Sequence, residues 1–140
     1  PHLKVSADQG SKCPVIIGVV EGDTHDIGKN LVKIMMDTAG FEVFDLGRDV
    51  AVETFVEKAK EIGHGIICMS TLMTTTMNNM SRVIEALKEQ GLRERFAVMV
   101  GGGPLSKSFA DKIGADLYTA NAAEAAKEAK KLAERLLASF

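Results

Sequence analysis

Five short apolar runs, each followed by an amphipathic stretch, constrain this 140-residue chain more than any other feature. Residues 15–20 (Val-Ile-Ile-Gly-Val-Val) and 65–69 (Gly-Ile-Ile-Cys-Met) carry no charged or hydroxyl side chain. A strand buried on both faces reads this way, whereas a half-exposed strand alternates. Residues 41–46, ended by Gly47, residues 96–100 and a short stretch at 116–119 give three more strands. Between them apolar residues recur at three-and-four spacing. The first stripe, in a helix over 29–40, is Leu31, Val32, Met35, Met36 and Ala39; the second is Val52, Phe55, Val56, Ala59 and Ile62. Met80, Val83, Ile84 and Leu87 form the third, Leu105, Phe109, Ala110 and Ile113 the fourth, and an alanine-rich stripe from Ala122 to Leu136 the last. Each is the buried face of a helix, and Gly40, Gly63, Gly91 and Gly114 stand where helices commonly stop.

Strict β-α alternation with crossovers of this length predicts the α/β class. The expected architecture is a doubly wound, five-stranded parallel sheet, flavodoxin-like (Rossmann-like), with strand order 2-1-3-4-5. Such a sheet binds ligands at the carboxyl ends of its strands, at the switch point between strands one and three. The loops after those two strands are also the two unusual ones in the sequence.

Residues 15–140 suffice for one domain with its own core. Residues 1–14 are polar, contain Gly10, Ser11 and Pro14, and read as a linker; a start at Pro1 without methionine suggests a processed or excised chain. A net charge of −2 supplies no electrostatic reason to expect nucleic acid or an anionic membrane as partner. No run reaches membrane-spanning length and no secretory pattern is present, so a cytoplasmic location is expected. Cys13 and Cys68 lack CxxC spacing and read as free thiols.

Three loops carry the chemistry. The first, Glu21-Gly22-Asp23-Thr24-His25-Asp26-Ile27-Gly28, joins strand one to the first helix. In one reading it only starts that helix, with Asp26 as N-cap and Asp23 favoured by the helix dipole. In the other, Asp23 accepts a bond from one ring nitrogen of His25, which fixes the tautomer and makes the other nitrogen a better metal ligand. The second loop, Ser70-Thr71-Leu72-Met73-Thr74-Thr75-Thr76, has five hydroxyl residues in seven, more than one cap uses. Its alternation with Leu72 and Met73 suits a cavity wall. Met69, Met73, Met77 and Met80 read as core, with an adaptable apolar surface as the alternative. The third loop, Gly101-Gly102-Gly103 before Pro104, is either a turn or a clearance for a ligand passing close to the backbone.

Common sites of this fold fail on residues. A dinucleotide fingerprint lacks its glycines, and Gly28-Lys29 is followed by Asn30 rather than the hydroxyl of a P-loop. A flavin site would want aromatic walls, and the chain has one Tyr and no Trp. A receiver domain would need an aspartate where Met69-Ser70 stand. Zinc would need three or four ligands, and of His2, His25 and His64 only His25 falls at a strand's carboxyl end.

With these residues in view, the chain resembles the cobalamin-binding domains of corrinoid-dependent methyltransferases. That family carries D-x-H-x-x-G, S-x-L and G-G after strands one, three and four. They stand here as Asp23 to Gly28, Ser70-Thr71-Leu72 and Gly101-Gly102. The resemblance implies that His25 replaces the cofactor's dimethylbenzimidazole as lower axial cobalt ligand. It implies that Asp23 tunes that histidine, and that a hydroxyl six residues after Ser70, here Thr76, completes the relay. It places the cofactor against Gly22, Asp23, Thr24, His25, Asp26, Ile27, Gly28, Ser70, Leu72, Met73, Thr74, Thr76, Gly101, Gly102, Gly103, Tyr118 and Asn121. The implied function is a methyl carrier cycling between Co(I) and methyl-Co(III), a corrinoid subunit rather than a complete enzyme. Its expected partners are a substrate-specific methyltransferase, a methyl-acceptor methyltransferase, a reductive activation protein and an N-terminal helical cap domain absent from this chain. Asp26 to Asn30 and the threonine-rich loop favour the methyl carriers of methanol, methylamine and methoxyaromatic systems. The alternatives are the cobalamin domain of an adenosylcobalamin-dependent mutase and a cobalamin-dependent sensor or regulator.

Overall fold

A computed structural model describes residues 13–138. In chain order it contains β1 (Pro14–Val20), α1 (Ile27–Thr38), β2 (Glu42–Val50), α2 (Val52–Ile62) and β3 (Gly65–Ser70). Then follow α3 (Asn78–Glu89), β4 (Phe96–Gly101), α4 (Lys107–Ile113), β5 (Leu117–Tyr118) and α5 (Ala122–Ala138). A short 3-10 turn, Thr74–Thr76, precedes α3, and a second, Arg93–Arg95, precedes β4. The strands are parallel in the order β2-β1-β3-β4-β5, as the alternation predicts.

The sheet is buried on both faces, which is why its central strands lack polar alternation. Ile16, Val20, Ile67 and Met69 point into a core shared with α2, α3 and α4, including Phe55 and Leu87. Val15, Ile17, Ile66 and Cys68 point the other way, onto a core with α1 and α5 that includes Met36 and Ala129. Met69 and Met80 are fully within the first core and Met77 packs against it, so the core reading of the methionines holds for these three. Met73 lies in the loop and is only half-buried.

Several boundaries move. The helix expected over 29–40 runs Ile27–Thr38. Pro14 already belongs to β1 and Cys13 beside it is buried, so the linker expected over 1–14 does not include them; its remainder lies outside the described residues. The largest change is in β2, which passes Gly47 and continues to Val50. Its pairing with β1 shifts twice, Ile17 opposing Asp45 but Gly18 opposing Gly47, and Val20 opposing Val50. Each shift places an extra residue on the edge strand, the signature of a bulge, and bends it. Gly47 at φ +93 accommodates the first bend rather than ending the strand. The bent end of β2 therefore rises beside the loop that follows β1.

Candidate functional site

The carboxylate of Asp23, fully buried, is the centre of the first loop. Its Oδ1 accepts the backbone N–H of His25 at 2.8 Å and lies 2.7 Å from Nδ1 of the same ring. Its Oδ2 accepts the hydroxyl of Thr71 at 2.5 Å and the backbone N–H of Leu72 at 2.7 Å. Burial by itself would raise this carboxyl, yet the bonds from Thr71, from the His25 and Leu72 amides and from the His25 ring outweigh it. They hold Asp23 at about 2, below its ordinary 3.8. An ionised acceptor at Nδ1 assigns the ring proton there and leaves the lone pair on Nε2. The His25 side chain is 56% exposed, and among the described residues Nε2 has no hydrogen-bond partner.

The helix-start reading of this loop does not account for it. Asp26 occupies the N-cap position of α1 but makes no side-chain capping bond. Asp23 gives Oδ1 to His25 and Oδ2 to the loop after β3, and neither oxygen caps α1.

The relay differs from the expected one in its third member. Thr76 is buried and does belong to the chain of hydroxyls, but it meets Thr71 at 2.5 Å and the Met73 carbonyl at 3.1 Å, not Asp23. Thr71, the unspecified middle residue of S-x-L, makes the direct contact. No periodicity or motif distinguishes it from Thr74 or Thr75, which are exposed.

Beside this relay opens a cavity of about 480 Å³, walled by α1 on one side and by the β5–α5 connection on the other. Of the residues singled out in the sequence, Gly28, Ser70, Leu72, Gly101, Gly102, Gly103, Tyr118 and Asn121 line it, together with Leu31 and Thr119. Asn121 also caps α5, its Oδ1 accepting the Glu124 N–H at 2.8 Å. The Oγ of Ser70 is buried and, among the described residues, has no partner. Buried hydroxyls are almost always bonded, so an orphan at a cavity wall fits a ligand that supplies the missing group. Gly22, Asp23, Thr24, His25, Asp26, Ile27, Met73, Thr74 and Thr76 do not line the cavity; Thr24, Ile27 and Thr74 are exposed.

The three glycines serve different ends. A Cβ on Gly102, at φ +133, would stand 1.8 Å from the Thr71 carbonyl oxygen, so that residue clears the second loop rather than a ligand. At Gly101 it would approach the Thr119 oxygen to 3.2 Å, whereas at Gly103 nothing lies nearer than 3.7 Å. The clearance reading thus holds for protein backbone first.

Among the described residues no three His, Cys, Asp or Glu side chains gather as a metal site. One exposed, carboxylate-backed imidazole beside a cavity suits a metal that arrives with most of its own ligands. A family model for the B12 binding domain matches residues 14–130.

The chain belongs to the B12-binding domain family.

This B12-binding domain is 58% identical over 118 residues to dimethylamine corrinoid protein 2 of Methanosarcina acetivorans, covering 84% of the chain and 55% of that protein. It is similar to the structure of the Methanosarcina barkeri monomethylamine corrinoid protein at 38% identity and a TM-score of 0.83, over 93% of this chain and 63% of that one. It is similar also to a chain of the methanol:cobalamin methyltransferase complex MtaBC from Methanosarcina barkeri. There the identity is 33% and the TM-score 0.82, over 87% of this chain and 46% of that one. The B12-binding domain therefore spans about half to two thirds of the length of these relatives. Its cofactor is cobalamin, and no helix among the described residues is long and apolar enough to cross a membrane.

Proposed function

We propose that this B12-binding domain is the methyl-carrying corrinoid unit of a methylamine-type methyltransferase system, with Nε2 of His25 as lower axial ligand of the cobalt. The observation that carries this reading is the 2.7 Å contact between Asp23 and Nδ1 of an otherwise exposed His25. When bound, the corrinoid would supply a cobalt able to accept and release a methyl group, the expected Co(I)/Co(III) chemistry of a methyl carrier.

The protein's own part is proton and geometry control. Asp23 orients the ring and holds its proton at Nδ1, which leaves the Nε2 lone pair free for ligation. Thr71 and the Leu72 N–H occupy Oδ2, which keeps that proton on the imidazole rather than on the carboxylate. Ser70 offers its free hydroxyl to the part of the cofactor that enters the cavity, while Leu31, Leu72 and Val32 line it with apolar surface.

A substrate-specific methyltransferase, a methyl-acceptor methyltransferase, a reductive activation protein and a helical cap are the proposed partners. The likeness to a chain of a methanol:cobalamin methyltransferase complex supports the first.

Reconstitution with cobalamin tests the reading. The protein should give absorption and Co(II) spin-resonance spectra with one axial imidazole nitrogen, and His25→Ala should lose that nitrogen. Unchanged spectra in the variant would overturn His25 as the ligand.

A further inference from the structure

The turn that leads into the relay is held by two side chains from distant parts of the fold. Gly22 donates its N–H to Oδ1 of Asp49 at 2.8 Å, and Asp49 returns the bond, its own N–H reaching the Asp23 carbonyl at 2.9 Å. From the other side, Nδ2 of Asn79 in α3 donates to the Glu21 carbonyl at 2.7 Å. Three successive residues of one turn are thus fastened to β2 and to α3. Asp49 makes its bonds from φ +53, the one positive φ outside glycine among the described residues. That left-handed conformation is one that aspartate and asparagine tolerate better than most residues. It arises where the second register shift bends β2 upward, between Gly47 and Val50.

A strained residue that returns a reciprocal pair of bonds to the neighbouring loop is a built feature rather than a loose strand end. We propose that Asp49 and Asn79 are positioning residues for His25, clamping the 21–23 turn so that Asp23 stands where it can meet both His25 and Thr71. Neither touches the imidazole; both act through the backbone beneath Asp23. The inference deepens the proposed role of His25 and rests on it for its consequence in ligation, but the clamp itself is a property of the protein alone.

Two measurements separate them. In the cobalamin-free protein, amide hydrogen exchange at His25 and Leu72 reports the two N–H groups that Asp23 accepts. Asp49→Gly keeps the backbone conformation without the acceptor and Asp49→Asn keeps both. Asp49→Gly combined with Asn79→Ala should speed exchange at these two amides about tenfold, the loss of one or two exposed hydrogen bonds. Asp49→Asn should stay near wild type. Unchanged exchange in the double variant would overturn the clamp.

With cobalamin bound, the fraction of protein whose Co(II) spin-resonance spectrum carries the imidazole nitrogen should fall in Asp49→Gly and return toward wild type in Asp49→Asn. An unmoved fraction would overturn the positioning role. If wild type binds cobalamin without histidine ligation, the reading of His25 fails instead, and the exchange measurement alone decides the clamp.

Discussion

The hydroxyl of Thr71 donates to Oδ2 of Asp23 across 2.5 Å, joining residues 48 positions apart in the chain. The carboxylate that orients His25 is therefore tied to the loop after β3 through Thr71, and only through Thr71 to Thr76. Thr71→Val should cost roughly 1–3 kcal/mol of stability, because it removes one of the Asp23 donors and leaves the buried Thr76 hydroxyl with only the Met73 carbonyl. Thr76→Val should cost less, about 0.5–1.5 kcal/mol, since Thr71 keeps its bond to Asp23. Urea denaturation orders the two, and a larger loss in Thr76→Val would contradict the relay order.

Asp23 also sets an acid dependence. Its carboxyl is held at about 2 in the fold against an ordinary 3.8, so it is a group depressed by folding. The stability it contributes is complete above the ordinary carboxylate range and is lost as pH falls through about 4 toward about 2. Asp23→Asn cannot satisfy both backbone N–H groups and should be less stable at neutral pH, with the gap from wild type narrowing below pH about 4. Denaturation midpoints across that range measure it, and a constant gap would count against an ionised Asp23. Cobalamin affinity of the variant should fall roughly 10–100-fold.

Gly102 and Gly103 stand side by side but differ in consequence. Gly102→Ala would drive a Cβ into the Thr71 carbonyl, displace the second loop and cost more than about 2 kcal/mol. Gly103→Ala meets nothing closer than 3.7 Å and should stay within about 1 kcal/mol. Thermal melts of the two variants suffice, and equal losses would refute the assignment.

Lys29 in α1 is buried, and its Nζ lies 2.9 and 2.8 Å from the two oxygens of Asp45 in β2. This pair fastens the start of the helix behind His25 to the edge strand. Lys29→Met should cost roughly 2–3 kcal/mol, toward the low end for a buried pair because Asp45 keeps some solvent and the Gly47 N–H. Adding Asp45→Asn should recover part of that loss. A double-mutant cycle by chemical denaturation gives the coupling, and additive losses would show that the pair contributes little.

Much of the molecule is legible one-dimensionally. The apolar runs at 15–20 and 65–69 announce strands buried on both faces, the helical stripes alternate with them, and handedness then leaves few topologies. Asp23 and His25 are two residues apart on one loop, so their pairing is a local matter that the chain itself dictates.

Contacts between loops are a different kind of fact. Thr71, Thr74, Thr75 and Thr76 have the same hydroxyl, and which of them reaches Asp23 depends on how two backbones 48 residues apart approach each other. The same approach makes Gly102 indispensable to Thr71 rather than to a ligand, and the two bulges that carry β2 past Gly47 bring Asp49 beneath the turn. Periodicity determined the alternation of strands and helices and narrowed the order of the sheet, while the loop motifs pointed to the site. Only the tertiary structure chose the residues that complete it, because hydrogen bonds between distant segments have a direction and a length that no spacing along the chain encodes.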